Sequence, residues 1–167
     1  MPYVVHVIDV LRRVSFLGIR NEDVLCAAVL HDVIEDCEVS KDQIEKVFNI
    51  KVANIVEELS RPNHISGYKN KKEYLDLFAK KVSVNALIIK FVDRMTNVEN
   101  YFVDGKKDYS LKYLNQAFSV INRLINELKK AKNNKLLELV WCEIKSIETK
   151  LDVEFCKECQ AFTPKDK

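Results

Sequence analysis

The chain has 167 residues, 47% hydrophobic and 31% charged, enough for one ordinary domain with a real core. A net charge of only +2 argues against a bulk nucleic-acid or membrane-surface binder, and no apolar run approaches the ~20 residues that span a bilayer. Three Gly and three Pro speak against many strands, while five cysteines without framework spacing, and no basic-then-apolar leader, point to a cytoplasmic protein with reduced thiols.

Residues 4–17, VVHVIDVLRRVSFL, place apolar side chains at 4, 5, 8, 11, 14 and 17, a helical period that Gly18 closes as a C′ residue. Asn21 caps a second helix, with Glu22 and Asp23 in its favourable first turn, and this helix is expected to run to about Asp36. Ser40 opens a short third helix, and Ser40 with Gln43 matches a capping box. A fourth helix spans about 50–60 and ends before Arg61-Pro62. Pro62 to Asn70 reads as a loop, with the basic cluster Lys69, Lys71 and Lys72 beside Tyr68 and Tyr74. A short helix at about 71–81 precedes a long one from Val84 to Phe102, capped by Ser83 and followed by Gly105. Its apolar positions 84, 87, 88, 91, 92, 95 and 98 form one stripe. Two further amphipathic helices, about 110–131 and 134–150, suit antiparallel packing on the rest. The expectation is an all-α bundle of about seven to eight helices in one domain, residues 1–150, followed by a charged tail over 151–167.

The stretch LCAAVLHDVIED, residues 25–36, breaks the pattern. An apolar helix carries His31, Asp32, Glu35 and Asp36, and each buried acid must be paired, protonated or bound to metal. Glu35 and Asp36 also fall late in the expected helix, where its dipole disfavours negative charge. His31 and Glu35 are four apart, as are Asp32 and Asp36, so each pair shares a face. Asp93 is a second misplaced acid, in IIKFVDRMTNV, with Arg94 adjacent and Asn97 one turn later; His6 lies among aliphatics in the first helix. One site at the junction of the three helices follows. Two imidazoles with two carboxylates suit a divalent ion such as Mn, Fe or Zn, and the chemistry is water activated for attack on phosphorus.

These residues resemble a known family. His6, His31-Asp32 and Asp93 match the H…HD…D signature of the HD-domain metal-dependent phosphohydrolases. HDVIED followed by FVDRMTN resembles the (p)ppGpp hydrolase branch, the hydrolase domain of RelA/SpoT proteins and its small stand-alone relatives, over about residues 2 to 125. The resemblance implies an all-α HD-domain fold, one divalent ion, commonly Mn with Fe, Zn or Mg as alternatives, and hydrolysis of a 3′-pyrophosphate. It implies His6, His31, Asp32 and Asp93 as metal ligands, with Glu35 and Asp36 positioning or deprotonating the attacking water. Arg94 and Asn97 fall at the polar positions beside the last ligand, where Asn97 would touch ribose or phosphate. Arg61-Pro62 and the Tyr68, Lys71, Tyr74 stretch resemble the loop that precedes that helix in the small relatives, giving Lys71 and Tyr74 as further substrate contacts, with a solvated basic turn as the alternative.

The chain departs from the family in two places. Val7 replaces the usual Pro after the first His, at a position that is not a ligand. Relatives carry a helix and a basic loop ahead of the Pro-Tyr-x-x-His segment, whereas Met1 here directly precedes Pro2-Tyr3. Either the substrate is held differently, or the reading frame is truncated, or activity is lost. The alternatives to (p)ppGpp hydrolysis are another nucleotide phosphatase or phosphodiesterase on the same site and a non-catalytic nucleotide-binding protein. The expected partner is a small nucleotide substrate, with no nucleic acid and no membrane, and oligomerisation is left open. Cys156 and Cys159 form one C-x2-C pair with no second pair or nearby His, and are read as incidental.

Overall fold

The computed structural model describes residues 3–60 and 71–153, and every regular element among them is a helix. In chain order these are α1 (Tyr3–Phe16), α2 (Glu22–Val29), α3 (Val33–Asp36), α4 (Lys41–Val47) and α5 (Ile50–Leu59). Then follow α6 (Lys71–Lys81), α7 (Val84–Val103), α8 (Lys107–Gln116), α9 (Phe118–Lys130) and α10 (Asn134–Leu151). The expected loop with Arg61, His64, Tyr68 and Lys69, and the tail with Cys156 and Cys159, lie outside the described residues. None of the described helices is long and apolar enough to cross a membrane.

The helix starts follow local chemistry. Asn21 accepts from the backbone N–H of Asp23 and Val24, Ser83 accepts from Ala86, and Ser40 with Gln43 forms the full reciprocal box. Gly18 adopts φ +82°, the left-handed conformation that ends α1 and that a side chain would strain.

The core is arranged around α7. The sequence shows one apolar stripe there, yet every residue from Ala86 to Thr96 is buried, because α1, α5, α8, α9 and α10 surround the helix. Lys90, Asp93 and Arg94 are carried into the interior with Phe91, Val92 and Met95, so their charges need partners there.

Two expected helices are each divided, which turns eight into ten. The first break is at Leu30–Asp32, where Val33 N–H turns back to the Leu30 carbonyl. Glu35 and Asp36 therefore belong to a new four-residue turn rather than to the end of a long helix, and the dipole argument against them does not apply. The second break is at Ala117, whose N–H reaches the carbonyls of both Tyr113 and Leu114. It lets α8 lie along α7 while α9 turns to meet α6 and α10. Nothing in the local sequence marks either break; tertiary packing overrides helical propensity at both.

Phe91 is fully buried at the centre of α7. Phe91→Ala is expected to lower the unfolding free energy by about 3–5 kcal/mol, read as a lower midpoint with an unchanged slope in urea titration.

Candidate active site

Three helices deliver the site. α1 buries Val10 and Val14 and thereby sets the half-buried His6 against α7, with Nε2 3.3 Å from Asp93 Oδ1. His31 sits in the turn after α2 and is fully buried. Its Nδ1 lies 2.9 Å from the Ala28 carbonyl, so Nδ1 donates and Nε2 keeps its lone pair. That Nε2 faces Asp32 Oδ2 at 3.1 Å and Asp93 Oδ1 at 3.9 Å. One ligand atom each from His6, His31 and Asp93 lies within 4.8 Å of the others.

A lone pair aimed at two carboxylate oxygens is repulsive unless a cation lies between them. His31 Nε2 is buried with no hydrogen-bond partner, and the surrounding donors are imidazole nitrogen and carboxylate oxygen, the set that a divalent ion takes. The residues present therefore fit a metal. Burial alone would push the His31 pKa down, but Asp32 and the Asp93 charge outweigh it and raise it. Asp32 is lowered: burial opposes ionisation, and the contact with His31 overcomes it.

Of the acids expected to act on water, Glu35 is half-buried and Asp36 is exposed at the rim. Lys71 is exposed as a residue, but its ammonium leans over the Tyr74 ring, 5.9 Å from the centroid. Desolvation, then the charges of Lys90 and Arg94, lowers its pKa, which places that end beside the site.

Three expected substrate contacts are spent inside the protein. Arg94, only 2% exposed, donates to Gln116 Oε1 at 2.9 Å and lies 4.1 Å above the Tyr113 ring, joining α7 to α8. It is one residue on from Asp93, so it leaves the helix about 100° away. Tyr74 is 3% exposed, with its hydroxyl on the Leu59 carbonyl at 3.2 Å. Asn97 gives its amide to Asp93, at 2.7 Å to Oδ1 and 3.0 Å to the carbonyl. Arg94, Tyr74 and the Asn97 amide, expected to touch substrate, thus each meet a protein group in this structure.

Three features were not expected from the sequence. Lys90 is buried with Nζ 3.3 Å from Asp93 Oδ2; its i,i+3 spacing to Asp93 was the available signal. Tyr3 donates to Asp32 Oδ2 at 3.2 Å, and burial, then the charges of Asp32 and Asp36, keeps its hydroxyl protonated. Tyr101 continues the Asp93, Asn97 face of α7 and stacks on Tyr109, ring centroids 5.6 Å apart, which α8 presents 54% exposed. Behind the site, Arg13 of α1 pairs with Glu99 of α7 and, at 3.1 Å, with Glu143 of α10, while Lys150 of α10 pairs with the same Glu99.

The sequence model of the HD domain family matches residues 1–128. The chain belongs to that family. Among proteins similar to this HD domain is the guanosine-3′,5′-bis(diphosphate) 3′-pyrophosphohydrolase MESH1 of Drosophila melanogaster, 31% identical over 139 residues, covering 83% of this chain and 77% of the relative. A pyrophosphohydrolase of the same name from Vibrio cholerae is 32% identical over 102 residues, 58% of this chain but only 14% of that longer protein. A solved structure described as a metazoan ortholog of SpoT that hydrolyses ppGpp superposes with a TM-score of 0.69 at 28% identity, over 89% of this chain and 81% of its own.

Asp93 couples this HD domain's stability to pH. Burial alone would raise its pKa, but the Lys90 ammonium, the His6 contact and the charges of His31 and Arg94 hold it far below the usual carboxylate range. A depressed folded pKa contributes stability that is complete above the unfolded value and disappears as pH falls toward the folded one. In metal-free urea titrations the advantage of wild type over Asp93→Asn is expected to be full above about pH 5 and to shrink below about pH 4.

Proposed function

We propose that this HD domain is a metal-dependent phosphohydrolase that removes the 3′-pyrophosphate of (p)ppGpp. The observation that carries the reading is the meeting of His6, His31 and Asp93 ligand atoms within 4.8 Å, on a fold shared with proteins named for that reaction. His6 Nε2, His31 Nε2 and one oxygen each from Asp32 and Asp93 would hold one divalent ion, for which we propose Mn. When bound, that ion supplies Lewis acidity that lowers the pKa of water and offsets charge on a phosphoryl oxygen.

The protein's own groups do the rest. The Ala28 carbonyl holds His31 in one tautomer, and Tyr3 steadies Asp32 from the other side. Glu35, half-buried beside the ligands, takes the proton of the attacking water, and Asp36 at the rim orients that water. Lys71 brings its ammonium to the phosphates. The Tyr101–Tyr109 stack offers the nucleobase a flat apolar face beyond Asn97. We assign residues 1–150 to a single hydrolase domain with a charged tail, and place the protein in the cytoplasm, in keeping with the free thiols of Cys26, Cys37 and Cys142.

Pyrophosphate release from ppGpp in the presence of Mn tests the reading. Wild type is expected to turn over, while His31→Ala and Asp93→Ala fall to background. Glu35→Gln is expected to lower kcat by about 10²–10⁴-fold with KM near wild type. Release from ppGpp by wild type no faster than by these two variants removes the substrate assignment and leaves the fold standing. Absence of a divalent ion in wild type after Mn loading removes the metal reading.

A further inference from the structure

Lys90 is a buried cation that the proposed reaction does not use. It is 4% exposed, on α7, and among the described residues its hydrogen bond is to Asp93 Oδ2 at 3.3 Å. The other ionisable groups facing it are Asp32, Glu35 and Tyr74, with the Lys71 ammonium nearby. Burying an ammonium is costly, and an ion pair kept only for packing could be replaced by apolar side chains at little loss. Asn97 and His6 both meet Asp93 at Oδ1, so Lys90 has the other oxygen to itself.

What Lys90 does is divide the Asp93 carboxylate. Oδ1 faces both imidazoles, 3.3 Å from His6 Nε2 and 3.9 Å from His31 Nε2, and accepts the Asn97 amide at 2.7 Å, while Oδ2 is taken by the ammonium. We propose that Lys90 is a positioning residue that restricts Asp93 to one-oxygen ligation and makes the metal centre one positive charge richer for a pyrophosphate. The proposal rests on the metal reading of the site given above. Two ligand carboxylates offset a divalent ion, the imidazoles are neutral and Glu35 adds a negative charge nearby, so Lys90 is a surplus of one positive charge relative to a neutral side chain at that position. The surplus loosens the hold on the ion and strengthens the pull on an anionic substrate, two effects of opposite sign from one charge.

That opposition makes the test selective. Mn binding, and inorganic pyrophosphate binding to the Mn-loaded protein, are measured by isothermal titration calorimetry for wild type, Lys90→Gln, Lys90→Met and Lys90→Arg. Circular dichroism melts establish folding. Lys90→Gln and Lys90→Met are expected to bind Mn about tenfold more tightly and pyrophosphate about tenfold more weakly. Lys90→Arg, which keeps the charge, is expected to return both constants to near the wild-type values. A merely structural role would weaken both affinities together. The proposal needs both shifts and the Arg restoration. A folded Lys90→Gln protein with unchanged or weaker Mn binding, or with unchanged pyrophosphate binding, overturns it. So does a Lys90→Gln chain that fails to fold, since the ammonium then serves folding. If wild type itself takes up no Mn, the metal reading of the whole site falls and this proposal falls with it; Mn binding by wild type without the Lys90 effects removes this proposal alone.

Discussion

The hydrogen bond between His31 Nδ1 and the Ala28 carbonyl decides what the rest of the site can be. It fixes a fully buried ring in one tautomer and turns the lone pair of Nε2 toward Asp32 and Asp93. The carbonyl that receives it belongs to the last turn of α2, and the chain departs from helical geometry at that point. The break between α2 and α3 is thus a local departure from regular structure that presents an imidazole to Asp32 and Asp93, and a continuous helix would have placed His31 differently. A small sacrifice of helical pairing for an aimed imidazole is a familiar exchange at functional sites.

The centre of α7 carries the complementary constraint. A helix buried all round does not carry charge for solubility, so Lys90, Asp93 and Arg94 must each find a partner inside. They do so in three directions. Lys90 faces Asp93, Asp93 faces the two imidazoles, and Arg94 faces α8 through Gln116 and the Tyr113 ring. The same helix therefore supplies Asp93, its electrostatic counterweight and the joint that holds α8. Because the three side chains are neighbours on one rigid element, a shift in any of them is felt by the others.

Much of this was legible in the sequence because it depends on short-range rules. Caps at Asn21, Ser40 and Ser83 announce helix starts, and the acids in HDVIED stand out against an apolar background. Asp93 stands out in the same way and His6 lies among aliphatics, but their place as the outer members of one set came from the family spacing, since sequence alone does not say which helices touch. What was not legible depends on direction. Arg94 and Tyr74 looked available because they are polar and near the motif, but helical phase turned Arg94 toward α8, and burial put the Tyr74 hydroxyl on Leu59. Lys90 was overlooked for the converse reason: a lysine in a long helix reads as solvent-facing until the helices around it are placed. The breaks at Leu30–Asp32 and Ala117 carry no Gly or Pro, so they too come from packing rather than local chemistry.

The ion pairs behind the site tie the two ends of the chain together. Glu99 receives Arg13 from α1 and Lys150 from α10, and Arg13 also reaches Glu143, 130 positions away in sequence. His6 stands two turns before Arg13 on the same helix. His6 therefore owes its position partly to the last helix, all of which lies past the residues that the family model matches. α10 acts as a remote brace, and lineages that varied it freely would be retuning the metal site from the opposite end of the polypeptide.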